Sequence, residues 1–463
     1  MLFSSMIFMW VFLPVVIIVN FILSIVHFSS EASRIKVKNA FLLAASLFFY
    51  AWGGFNHLLI MLGSILVNYL GGLLLGADEA ASWKRKAKLI LILAADLGSL
   101  FVFKFGITKM ALPIGISFFT FQAMSYVIDV YRKKTAVQKS IYNFALYVSF
   151  FPQLVAGPIV KYSDIESQLR SRKESISLFA SGQKRFCYGM GKKVLLANTF
   201  AEIADHIWSL DTARIGTGVA WLGILAYTLQ IYYDFSGYSD MAIGIGRMLG
   251  FSFKENFDYP YTALSVREFW RRWHISLSSW FKEYVYIPLG GNRHGNGRAC
   301  MNLFIVFLLT GIWHGADLTF LVWGIFYAVL QILERIFLGK ALEKNPVKPL
   351  NWLYCIFCVM AGWVFFRSDT VFQAVEYLRQ MFAGVSSEYY TVISFLSMKA
   401  VIAFVIGILF AGFVQRLLGR WYGKICDRLP VIVCDFAIQM GILVLSVLML
   451  VSGTYNPFIY FQF

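Results

Sequence analysis

Long apolar runs separated by short polar breaks set the pattern of this chain. Runs apolar enough to read as membrane helices fall at about 5–28, 39–51, 57–76, 89–103, 111–130, 218–235, 301–313, 318–338, 350–366, 399–418 and 431–452. A perpendicular span needs roughly 20 apolar residues, so the shorter runs predict tilted, broken or re-entrant helices. A more polar run at 185–207 either spans or lies at the surface. The pattern predicts an all-α integral membrane protein with roughly ten to twelve spans. It is read as a single domain over residues 1–463 without a fixed-period repeat.

Two stretches depart from that rhythm. FPQLVAGP (151–158) sets two prolines and a glycine inside an apolar segment. Lipid-exposed backbone cannot break this way without orphaned amides, so a re-entrant element lining a cavity, or one covered by other helices, is expected. Residues 264–284, LSVREFWRRWHISLSSWFKEY, predict one amphipathic helix. Val266, Phe269, Trp270, Trp273, Leu277, Trp280, Phe281 and Tyr284 recur at three- and four-residue steps. Arg267, Arg271, His274 and Ser278 form a second stripe, which places the helix at the interface or in a cavity wall.

Composition sharpens this picture. Hydrophobic residues make up 59% and charged residues 14%, against about 25% charged in soluble domains. The net charge of +16 would suit nucleic acid, but the basic residues lie in short clusters between apolar runs: KRKAK (84–88), YRKKTAVQK (131–139), SRK (171–173) and GKK (191–193). That is the positive-inside pattern, with headgroup lipids rather than nucleic acid as partners. No charge precedes Glu31, which reads as a true first span rather than a signal peptide. Arg34, Lys36 and Lys38 follow it, so the N-terminus is expected outside. The six cysteines read as packing residues, including Cys355 and Cys358 on one face of a buried helix.

Candidate chemistry sits where polar groups interrupt apolar runs. His314, in LLTGIWHGADLTFLVWG (308–324), is an ionisable ring at membrane depth and thus a functional candidate. Neutral imidazole is cheap to bury and takes a proton near neutral pH, as a general base must. Gly311 and Gly315 would leave room for a substrate beside it. Asp234 and Asp240, in YYDFSGYSDMAIGIG (232–246), can line a polar path, orient a histidine or cap a broken helix. His27, His57, His206 and His294 read as solvated, and no spacing suits a metal. G-x-S-x-G and P-loop motifs are absent.

At these residues the chain resembles the membrane-bound O-acyltransferases, in the bacterial branch that O-acetylates alginate and peptidoglycan. The resemblance rests on IGISFFTFQAMSYVIDVYR (114–132), SFFPQLVAGPIVKY (149–162), LQIYYDFSGYSDMAIGIGRMLGF (229–251), REFWRRWHISLSSWFKEYVYIPLGGNR (267–293), TGIWHGADLTFLVWG (310–324), GWVFFRSD (362–369) and NPFIYFQF (456–463). It implies a ring of about eleven spans around a thin centre with a funnel from each side. It also implies that His314 is catalytic and that His274 is the second histidine. On that picture the breaks at FPQLVAGP and YYDFSG line the cavity, and Arg267 and Arg271 guide donor phosphates. Trp313, Gln153, Asp234, Tyr238 and Asp240 join them as candidate donor contacts. No cofactor is implied as permanently bound; the donor is acetyl-CoA or an acyl-carrier thioester. The implied partner is an extracytoplasmic acetyltransferase of serine-hydrolase-like fold, with the chain multi-pass in a bacterial cytoplasmic (inner) membrane. D-alanyl transfer from a carrier protein is the alternative within the family. A transporter with a His/Asp proton relay, or a structural subunit of an export complex, is the alternative outside it.

Overall fold

The computed structural model describes every residue except 78–82, 109, 156, 388, 454, 458 and 460–463. The described residues are helical or irregular, with no strand among them. They divide into two compact units: Met1–Gly189 with Tyr238–Glu255, and Met190–Gly237 with Asn256–Phe463.

In the first unit, a π-helical turn (Phe8–Phe12) leads into α1 (Leu13–Ile25), followed by α2 (Glu31–Ala51), α3 (Phe55–Gly76), α4 (Trp83–Lys104) and α5 (Ile116–Tyr131). Then come α6 (Ile141–Ser149), α7 (Phe151–Leu154), α8 (Tyr162–Arg170) and α9 (Ile176–Gly191), whose last two residues belong to the second unit. The break expected at FPQLVAGP lies between α6 and α7, where Phe150 turns extended (ψ 111°); Ala156 falls outside the described residues. Three hydrogen bonds inside the protein hold it. Phe151 N–H donates to Ser46 Oγ (3.2 Å), Gln153 Nε2 to the Tyr147 carbonyl (2.6 Å), and Tyr147 Oη to the Val160 carbonyl (2.9 Å). This is how a helix break persists at membrane depth: side chains from neighbouring helices replace the lost ladder bonds.

The second unit contains α10 (Asn198–Trp208), the first two-thirds of α11 (Thr217–Met248), α12 (Val266–Arg272), α13 (Ile275–Phe281), α14 (Gly295–His314), α15 (Leu318–Leu333), α16 (Gly339–Lys344), α17 (Lys348–Arg367), α18 (Val371–Gln380), α19 (Met398–Leu409), α20 (Phe413–Ile425) and α21 (Leu429–Ser452). Three expectations change here. YYDFSG does not break: α11 runs through it for 32 residues, because glycine, unlike proline, keeps the N–H that the helical ladder needs. The run at 399–418 is not one straight span but the pair α19 and α20, bent by 61° at Gly412 (φ +131°). Nor is 264–284 one amphipathic helix. Trp273 is extended and His274 left-handed, so α12 and α13 are separate.

Among the described residues, six helical stretches are long and apolar enough to cross a membrane: Phe8–Ile25, Phe55–Gly76, Gly295–His314, Leu318–Lys344, Lys348–Arg367 and Leu429–Ser452. The bent pair would make a seventh if it counted as one span. Helices α2 (21 residues), α4 (22 residues) and α11 have the length but carry charged positions.

Candidate functional site

The break between α12 and α13 exists because a neighbouring segment takes over its hydrogen bonds. Asp258 N–H donates to the Arg272 carbonyl (3.0 Å), and Ile275 N–H to the Asn256 carbonyl (2.9 Å). A capping box starts α12: Ser265 accepts from Glu268 N–H (3.1 Å), and Glu268 Oε2 accepts from Leu264 N–H (2.7 Å). Buried Glu334 completes that cap, accepting from the Val266 and Arg267 N–H groups at 2.7 and 2.8 Å. A carboxylate at a helix N-terminus satisfies orphan donors and complements the dipole.

His274 therefore sits at the start of α13, with φ +46° and ψ +53°, and is 1% exposed. Its Nδ1 lies 3.1 Å from Asn256 Oδ1. The same oxygen accepts from Ser276 N–H (3.2 Å) and Ser276 Oγ (2.8 Å). A backbone N–H can only donate, so this contact identifies the Asn256 atom as the amide oxygen. His274 Nδ1 must then carry the proton, and Nε2 is the acceptor nitrogen of the neutral ring. Phe235 packs edge-to-face on the other side of the ring at 4.6 Å.

His314 is the last residue of α14. Its ring is buried against the edges or faces of Trp323 (5.1 Å, 81°), Phe366 (5.1 Å, 78°) and Trp313 (4.8 Å, 77°). Trp313 also lies 6.3 Å from the His274 ring, so one indole stands next to both histidines. Gly311 and Gly324 let α14 and α15 close tightly: a Cβ on either would stand 2.5 Å from the Phe320 carbonyl oxygen or 2.6 Å from that of Phe307. Gly315 likewise abuts the Phe320 ring. The space beside these glycines is thus filled by α15, not left for a substrate as the sequence suggested.

The remaining candidates are placed as follows. Arg267 and Arg271 lie on α12, with Arg271 exposed, so the break separates their surroundings from those of buried His274. Asp234 is buried in an ion pair with Lys193 (2.6 Å) and accepts from Ile459 N–H (2.9 Å). Asp240 pairs with Arg185 (2.7 Å), which also pairs with Glu255. Tyr238 stacks on Phe3 (4.5 Å, 12°), and Gln153 closes the α6–α7 break. Gln153, Tyr238 and Asp240 belong to the first unit, whereas both histidines, Trp313 and Asp234 belong to the second. Of the closing NPFIYFQF, residues 458 and 460–463 lie outside the described residues. Sequence reasoning missed Asn256 and Glu334. The Ser265-x-x-Glu268 capping box was a readable sign that a helix starts there, but nothing in KENFDYP (254–260) marks Asn256 as a histidine partner.

Comparison with known proteins gives the family. Residues 115–367 match the MBOAT, membrane-bound O-acyltransferase family. The chain is 41% identical to the probable alginate O-acetylase of Pseudomonas aeruginosa, covering 83% of this chain and 75% of that protein. It is 35% identical to the peptidoglycan O-acetyltransferase of Helicobacter pylori, over 82% and 80%. It is 26% identical to the teichoic acid D-alanyltransferase of Bacillus subtilis, over 51% and 62%. Several helices apolar enough to cross a membrane, a match across more than half its length and relatives this similar make the chain a multi-pass enzyme of the membrane-bound O-acyltransferase family.

Proposed function

We propose that this enzyme moves an acyl group, acetyl foremost, from a thioester on the cytoplasmic side to a hydroxyl acceptor outside, for O-acetylation of a polysaccharide. The reading is carried by two buried histidines that both neighbour Trp313, packed among aromatic rings. The names of the Pseudomonas and Helicobacter relatives support acetyl and polysaccharide. His314 takes the proton of the acceptor hydroxyl as its oxygen bonds to the acyl carbon; the carbon–sulfur bond breaks, and His314 hands that proton to the sulfur, which leaves as the thiol. His274, with its proton on Nδ1, presents Nε2 as an acceptor and orients a donor group. Aromatic walls exclude water, which would hydrolyse the thioester.

The donor is acetyl-CoA or an acyl carrier protein, with no permanently bound cofactor, and a serine-hydrolase-like protein outside receives the acyl group. The membrane is the bacterial cytoplasmic (inner) membrane, with the N-terminus outside. D-alanyl is the second reading, favoured by the similarity to the Bacillus protein.

The test is thioester turnover by purified protein in vesicles, with acyl appearance on the far side. His314→Ala should lower turnover about 10²–10⁴-fold while the protein stays folded. Full activity in that variant would remove His314 from the chemistry. A wild type that consumes neither acetyl nor D-alanyl thioester, even with its outer partner present, would sink the acyl-transfer reading and favour transport.

A further inference from the structure

Helix α20, FVQRLLGRWYGKI, stands apart from the other helices around it. None of its residues is buried, and Leu417 and Trp421 are 81% and 60% exposed. On a 3.6-residue helix Val414, Leu417, Leu418, Trp421 and Ile425 share one face, while Arg416, Arg420 and Lys424 follow one another at four-residue steps in a stripe along its edge. The helix carries no acidic residue; Asp427 and Arg428 lie just beyond it.

Its placement is equally specific. Gly412 takes a φ of +131°, and a Cβ there would meet Tyr259 at 2.5 Å and Thr262 at 2.9 Å, so the hinge is pressed against the segment before α12. Phe413 packs edge-on against Trp352 (5.9 Å), whose Nε1 donates to the Tyr261 carbonyl (2.8 Å). Trp352 is at the Lys348 end of α17, close in sequence to Lys340 and Lys344. Thus α20 begins at the basic ends of the neighbouring spans. As the second half of a span, it would carry Arg416, Arg420 and Lys424 into hydrocarbon, where Lys and Arg are rare and costly. With 12 residues, α19 rises only about 18 Å, short of a full crossing, and the 61° bend turns the chain out of that path.

We propose that α20 lies in the membrane interface and binds anionic phospholipid. Its apolar face enters the acyl chains, and Arg416, Arg420 and Lys424 meet the headgroup phosphates. A basic stripe beside an unpacked, tryptophan-bearing apolar face fits a negative lipid surface by charge and shape. This does not depend on which group the enzyme transfers.

Hydrogen–deuterium exchange on the full-length protein tests it, in nanodiscs of phosphatidylcholine alone or with phosphatidylglycerol. Amides of α20 should exchange at least about tenfold more slowly with phosphatidylglycerol, since each basic residue near an anionic surface contributes separately. The difference should vanish in Arg416→Gln/Arg420→Gln/Lys424→Gln and in high salt. Arg416→Lys/Arg420→Lys should keep it, with α17 and α21 unchanged throughout. Because the three side chains are exposed, the triple variant retains its fold. Equal exchange in both lipids would overturn the proposal. So would α20 protection equal to that of α21 in both lipids, which makes it a span, or protection that appears only with an added acidic protein.

Discussion

At His274 a left-handed backbone, costing a non-glycine residue about 1–2 kcal/mol, is held by hydrogen bonds from 18 residues away. Asn256 Oδ1 accepts from Ser276 twice and from the ring once, so three groups share one oxygen. Asn256→Ala should misdirect the imidazole and lower kcat by about 10²-fold with little change in KM, the effect of a small misplacement. Asn256→Asp keeps an acceptor there and should recover much of the rate. If Asn256 acts through His274, the double variant with His274→Ala will be no slower than His274→Ala alone; additive losses would give Asn256 a separate role. His314 was legible in the sequence because one ionisable ring in an apolar run is conspicuous. The His274 environment was not, because an asparagine among loop residues announces nothing until the fold brings it near.

Among the elements, the pair α14 and α15 shows how glycine places the histidine. The two helices meet at Gly311 and Gly324 with no space for a methyl group against a carbonyl oxygen. Gly324→Ala should push them apart and destabilise the protein by about 1–3 kcal/mol, read as a lower Tm in detergent. Activity should fall with it, since His314 ends α14. An unchanged Tm would mean that the crossing relaxes at little cost. Apolar run length located the long helices; periodicity was the guide only at 264–284. It failed at 264–284 for a physical reason: spacing continued through a point where hydrogen bonds to 256–258 replaced the helical ladder. The resemblance erred in the opposite sense at YYDFSG, where it implied a break that the intact backbone of α11 does not have.

At the scale of the whole molecule, the family motifs reached further than any periodicity, since they pointed to both histidines before geometry was known. They offered Asp234 as a donor contact and gave no sign of the ion pair it makes. In the second unit it forms a buried pair with Lys193, which also donates to the Pro457 carbonyl; Asp234 accepts from Ile459 N–H, and Asn198 bonds Asn456 (3.2 Å). Lys193→Met would strand a buried carboxylate and should cost about 3–5 kcal/mol in a detergent melt. Lys193→Met/Asp234→Leu should recover a large part, because neither charge is then left alone. A single variant as stable as wild type would show that water reaches the pair. These bonds span 264 residues from Lys193 and 225 from Asp234. While the chain is being made, the Lys193–Asp234 pair waits for the rest of its hydrogen bonds, whose partners are still unsynthesised. Insertion of this protein therefore has an order imposed by hydrogen bonding: the interior of this unit cannot be finished until residues 456, 457 and 459 have left the ribosome and come back to it.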